Sequence, residues 1–131
     1  MPEELFIVDT DILIDYSRGI EKAKASIVEF EIENRLAISV ITQLELMVGC
    51  ENKQDFKLLN TFLQDFEVIP LNASISDKAV ELFEMFRLSH GVMIPDMLIA
   101  STAIVLDVPL ISKNQKDFRF IKDLKLRNYT P

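Results

Sequence analysis

A chain of 131 residues with 49% hydrophobic side chains suits one domain, residues 1–131, with one core, and its lone Cys50 excludes an internal disulfide, as a reducing compartment requires. The net charge of −7 argues against phosphate binding over the whole surface, and three glycines exclude a glycine-rich phosphate loop. The opening Met-Pro-Glu-Glu is acidic where a secretion signal is basic, and the longest apolar stretch, residues 97–106, is too short to span a bilayer, so a soluble cytoplasmic protein is expected.

In chain order, the first predicted element is a strand over residues 5–8, which runs directly into Asp9. Helical spacing follows over 20–35, then a strand over 36–40, with Glu45 one helical turn beyond it. A helix over 54–66, a short strand over 67–69 and a helix over 77–88 lead to His90-Gly91-Val92-Met93-Ile94-Pro95, the best candidate for local mobility. His90, the only histidine, reads as a helix-end residue beside Gly91. Asp96 opens the next helix, whose same side carries Ile99, Ala100 and Ala103, and a last strand over 109–112 precedes Asn114 and Asp117. Alternation of this kind predicts an α/β fold with a central parallel sheet covered by helices on both faces.

Asp9, Glu45 and Asp96 each lie within or against an apolar segment, where an unpartnered carboxylate costs several kcal/mol. No Lys or Arg lies within four residues of Asp9 or Glu45, so a metal ion is the natural counter-charge. At about 100° per residue, Ile41, Leu44 and Val48 fall within about 60° of one another and Glu45 about 40° from Ile41, which predicts that Glu45 faces inward. Each acid also has a structural explanation: Asp9 as a helix cap, Asp96 as a complement to a helix N-terminus, Glu45 as an edge residue. Topology favours convergence, because ligands of open α/β sheets bind beyond the carboxyl ends of the strands, where these acids, Asn114 and Asp117 all fall. The charge is also uneven. Lys113, Lys116, Arg119, Lys122, Lys125 and Arg127 against Asp117 and Asp123 give residues 113–131 a net +4, leaving −11 for residues 1–112.

Four segments in order, Val8-Asp9-Thr10-Asp11, Ser39-Val40-Ile41-Thr42-Gln43-Leu44-Glu45, Ile94-Pro95-Asp96-Met97 and Ile111-Ser112-Lys113-Asn114-Gln115-Lys116-Asp117, resemble the successive motifs of PIN-domain ribonucleases, and most closely those of the small VapC-type toxins. The resemblance covers essentially the whole chain. It implies a three-layer PIN-like fold and a metal-dependent endoribonuclease, the toxin of a type II toxin–antitoxin module. It also implies catalytic and metal-binding roles for Asp9, Glu45 and Asp96 toward Mg²⁺, with Mn²⁺ as a substitute. Asn114 or Asp117 would complete the metal site; Thr10, Thr42 and Ser112 would support the acids, and Lys113, Lys116 and Arg119 would contact RNA. Where the family commonly has Thr, any residue, then Asp or Asn, this chain has Ser112, Lys113, Asn114, with the acid displaced to Asp117, which leaves the fourth ligand open.

The implied partners are a cognate antitoxin, bound along helices 20–35 and 54–66, the RNA substrate, and a second copy of the chain in a homodimer or toxin–antitoxin hetero-oligomer. Two other readings remain at this point. Asp9-Thr10-Asp11 after an apolar strand also resembles haloacid-dehalogenase-like phosphatases, with Asp9 as nucleophile, Asp11 as acid/base and Lys113 as phosphate partner, although Glu45 then has no role. A non-catalytic PIN-fold interaction module is the other, against which stands the presence of all three acids.

Overall fold

The computed structural model describes residues 4–129; the first three residues of the acidic opening and the last two of the basic tail lie outside the described residues. Strands β1 (Glu4–Val8), β2 (Asn34–Ser39), β3 (Glu67–Ile69), β4 (Leu110–Ser112) and β5 (Leu126–Asn128) form one parallel sheet in the order β3-β2-β1-β4-β5. Between them run helices α1 (Thr10–Ser17), α2 (Glu21–Glu33), α3 (Val40–Val48), α4 (Lys53–Leu63), α5 (Ala73–His90), α6 (Ile94–Leu106) and α7 (Gln115–Phe118).

Strand periodicity divides the core in two. Phe6, Val8, Leu36, Ile38 and Ile111 point to one side, where they meet Ile12, Leu13, Ala23, Ile27 and Leu63 of α1, α2 and α4. Ile7, Ala37 and Leu110 point to the other, against Leu82, Met97, Ile99, Ala103 and Phe118 of α5, α6 and α7. Each of the larger side chains here that is fully buried contributes roughly 1.5–3 kcal/mol relative to exposure. Helix α3 touches both layers, through Ile41 on one side and Leu46 on the other. The α/β, three-layer expectation therefore holds, with β1 at the centre of the sheet.

Several boundaries differ from the sequence reading for local reasons. Val40 begins α3 rather than ending β2, because Ser39 caps that helix by accepting the Ile41 N–H at 3.0 Å. Asn34 and Arg35 belong to β2 and pair with Glu4 and Leu5 of β1, so α2 stops at Glu33. Helix α4 ends at Leu63, short of Phe66, and α5 starts at Ala73 rather than 77, because Asn72 accepts the Ile75 N–H at 2.8 Å. Strand β5 had no counterpart in the expected elements. It pairs with β4 over three residues, and two of them, Arg127 and Asn128, are exposed.

At the start of α6, Gly91 closes α5 in the left-handed conformation, φ 65°, a position where a side chain would be strained. Arg87 donates from its guanidinium to the carbonyl of Val92 at 2.7 Å and so ties the turn back onto α5. The segment 90–95, singled out in the sequence for local mobility, forms the turn between α5 and α6 and carries these two features. Among the described residues, no helix is long and apolar enough to cross a membrane.

Candidate functional site

Asp9 leaves the carboxyl end of β1 at the centre of the sheet and caps α1, with its Oδ1 accepting the Thr10 N–H at 2.9 Å. Its Oδ2 accepts the Ser112 hydroxyl at 2.8 Å from the end of the neighbouring β4. The side chain is 3% exposed. Burial pushes the Asp9 carboxyl up to about 7, and the nearby charges of Asp11 and Asp96 push the same way, against the lowering effect of Ser112 and Thr10. Ser112 is itself held, since its Oγ accepts the Asn114 N–H at 3.0 Å. The cap expected as the structural alternative for Asp9 is real, and it coexists with a buried and strongly perturbed acid.

Glu45 enters from α3. The Thr10 hydroxyl donates to its Oε1 at 2.7 Å, and Thr10 and Thr42 hydroxyl oxygens lie 2.8 Å apart. A hydroxyl has one proton, and that of Thr10 goes to the carboxylate, so Thr42 donates to Thr10. Thr42 is fully buried on α3 and lies three residues before Glu45, which sets both on the same face. The route by which the sequence pointed to Glu45 needs correction: Leu44 and Val48, expected to share its inward side, are 52% and 85% exposed. Buried Thr42, with Ile41 packed against the core, marks the inward face of α3, and Leu44 and Val48 do not.

Asp96 lies in the first turn of α6, behind Pro95, with Ile99, Ala100 and Ala103 buried on that helix. Burial raises its carboxyl to about 6, followed by the charges of Asp117, Glu45 and Asp11. The acids expected to converge are thus brought together, since Asp9 feels the charge of Asp96 and Asp96 feels that of Glu45. Among the described residues, no three His, Cys, Asp or Glu side chains form a closed ligand group. Like charges repel, and Asp9 and Glu45 turn to hydroxyl donors instead.

The last segment divides its residues. Asn114 directs its side-chain amide to Oδ2 of Asp11, while Asp117 is the largest charge acting on Asp96. Asp11 is the participant that the sequence reading assigned to no role in the nuclease site. The signal for it was present: an acid two residues beyond Asp9, in the first turn of a helix. Lys113 turns away to Asp15, with its Nζ 2.6 Å from Oδ2, and that hydrogen bond raises its pKa. The phosphatase reading needed Lys113 as phosphate partner beside Asp9, and this pairing is at odds with it. Lys116 and Arg119 instead flank an open cavity of about 500 Å³ whose wall includes Asp96 and Asp117.

With this geometry in view, the sequence matches the PIN domain family over residues 6–124. The chain belongs to the PIN-domain family. This PIN domain is 32% identical to "Ribonuclease VapC1" of Methanocaldococcus jannaschii, over 97% of this chain and 88% of that protein. It is 33% identical to "Ribonuclease VapC10" of Mycobacterium tuberculosis, over 92% and 91%. A solved toxin–antitoxin complex from Klebsiella pneumoniae contains a chain of the same fold, with TM-score 0.74, 32% identity, and 93% of this PIN domain and 95% of that chain covered. The VapBC2 structure from Rickettsia felis, bound to a DNA fragment from its promoter, matches at TM-score 0.79 and 28% identity over 95% and 98%.

Proposed function

We propose that this PIN domain is an endoribonuclease, the toxin of a type II toxin–antitoxin module, hydrolysing RNA phosphodiester bonds at the acidic cup of Asp9, Glu45 and Asp96. The observation that carries this reading is Asp9, 3% exposed at the end of the central strand with its carboxyl pushed up to about 7 between other acids. Such an arrangement opposes folding on its own and calls for a cation. Its donors are all oxygens, which fits a hard divalent ion, Mg²⁺ with Mn²⁺ as a substitute, held by Asp9, Glu45 and Asp96 with Asn114 or Asp117 completing the set. When bound, that ion supplies Lewis-acid charge for the phosphate and makes water more acidic.

The remaining work belongs to this chain's own residues. Ser112 and the Thr10 N–H fix the direction of the Asp9 carboxylate, and Thr42, through Thr10, fixes that of Glu45. Lys116 and Arg119, beside Asp96 and Asp117, draw the RNA backbone toward a cup that would otherwise repel it. Lys113 serves RNA only if it leaves Asp15.

The antitoxin would occupy the cavity of about 780 Å³ between α1, α3 and α4, where Tyr16, Leu58, Leu59 and Phe62 present apolar surface. Relatives in solved toxin–antitoxin complexes support a protein partner of this kind. Of the apolar side chains expected on α2 and α4, Ile27 and Leu63 fill the core while Val28, Ile32 and Leu58 are exposed, so both the packing and the contact explanations apply in part. A homodimer on another face and a cytoplasmic location complete the reading.

Purified protein should cut RNA with Mg²⁺ or Mn²⁺ and stop in EDTA, and Asp9→Asn, Glu45→Gln or Asp96→Asn should each remove cleavage while the fold survives. Cleavage that persists in EDTA would overturn the metal-dependent mechanism.

A further inference from the structure

The cavity beside the acids has an aromatic wall that the hydrolytic reading does not use. His90 stacks on Phe120, with ring centroids 4.0 Å apart and planes inclined by 21°. Phe86 meets both rings edge-on, at 5.5 Å from His90 and 4.8 Å from Phe120, and fixes the pair from behind. The His90 ring is held at its other end by a 2.7 Å contact between its Nδ1 and the Ser89 hydroxyl. The Gly91 turn and the Arg87 bond to Val92 hold the backbone on which it stands. Phe120 is half-buried in the core, while His90 is exposed at the cavity of about 500 Å³ that it shares with Asp96, Asp117, Lys116 and Arg119.

Exposed aromatic surface, two cations and Asp96, one acid of the cup, share this cavity and match the parts of a nucleotide: base, phosphate and scissile bond. The volume lies within the range of roughly 300–1,000 Å³ typical of small-ligand sites. We propose that the His90–Phe120 pair is a base-stacking platform, on which a base of single-stranded RNA flanking the scissile phosphate lies while Lys116 and Arg119 hold its backbone. This rests on the ribonuclease reading and adds to it the two side chains on which the unpaired base lies. A base held in a duplex cannot offer its face, whereas any unpaired base can, so the platform selects single strands and loops with little regard for sequence. His90 acts through its ring face, and neither donates nor takes a proton in this role.

The test compares binding of a fluorescein-labelled short oligouridylate with binding of a ribose-phosphate chain of equal length and charge that lacks bases. Anisotropy is read with Mg²⁺ present and extrapolated to the time of mixing. The intact protein should bind the oligouridylate more tightly than the abasic chain, by roughly 5- to 150-fold if one base stacks. His90→Ala should abolish that preference and leave affinity for the abasic chain unchanged, and His90→Phe, which keeps a ring but has no titratable nitrogen, should retain it. Equal binding of the two chains by the intact protein, a preference that survives His90→Ala, or its loss in His90→Phe would each overturn the platform while leaving the ribonuclease reading in place. Failure to bind either chain would overturn both.

Discussion

Replacing Asp9 by Asn should stabilise the metal-free protein, and only above the ordinary carboxylate range. In the unfolded chain this carboxyl has its usual value of 3.8; in the folded protein, burial pushes it to about 7. Below 3.8 the group is protonated in both states and burial imposes no charge penalty. As pH rises toward 7 the unfolded chain releases its proton while the folded protein retains it, so stability falls throughout that window and then levels off. The difference of about 3 units, at about 1.36 kcal/mol per unit, sets a ceiling of about 4 kcal/mol. Asn is close to Asp in shape and keeps the acceptor for the Thr10 N–H, but Ser112 must turn its hydroxyl and loses a bond to a charged partner, which offsets roughly 1–2 kcal/mol. A net gain of about 2–3 kcal/mol at pH 8 remains, and at about 3–5 °C per kcal/mol for a domain of this size it raises the thermal midpoint by roughly 6–15 °C. Calorimetric melts of parent and Asp9→Asn protein in EDTA, at pH 4 and pH 8, read this directly. Midpoints that coincide at pH 8, or a variant that melts earlier there, would refute the reasoning. Adding Mg²⁺ at pH 8 should raise the parent's midpoint and leave that of Asp9→Asn nearly unchanged, closing the gap.

Thr10→Val removes the donor to Glu45 and the acceptor for Thr42, so thermal stability should fall by about 1–3 kcal/mol and RNA cleavage should drop with little change in KM. Asn114→Ala and Asp117→Asn, each assayed across a Mn²⁺ titration, should raise the metal requirement of whichever residue belongs to the metal site; parent-like titrations in both would leave the cup with three protein ligands. Gly91→Ala places a side chain at φ 65° and should destabilise by about 1 kcal/mol, seen as a lower urea midpoint with unchanged slope, despite open space around the new methyl group.

The sequence carried the sheet's core strands and the meeting of the three acids because both follow from strong local signals. Residues 5–8 and 109–112 are apolar runs of strand length, and the carboxyl ends of parallel strands share one edge of a sheet. Strand β5 had no such signal, as Leu126-Arg127-Asn128 acquires strand geometry only by pairing with β4. On α3, Ile41 and Glu45 turn inward as expected, but Leu44 and Val48 are apolar and still exposed, while Thr42 is buried and hydrogen-bonded to Thr10. Asp11 and Lys113 were set by tertiary partners, Asn114 and Asp15, that lie about a hundred residues away in the chain. His90 was correctly placed at a helix end, but its stack on Phe120 depends on where α7 returns, which no local pattern encodes.

The central position of β1 also bears on when the cup can exist. Strand β1 leaves the ribosome before the other four strands of this sheet, yet Ser112 of β4, the partner of Asp9, follows it by 103 residues. Synthesis proceeds at roughly 5–20 residues per second, so Asp9 spends several seconds at the edge of an unfinished sheet without that partner. Under the proposed ribonuclease reading, a delay is thereby written into the strand order: the site of Asp9, Glu45 and Asp96 is complete only once β4 has been delivered.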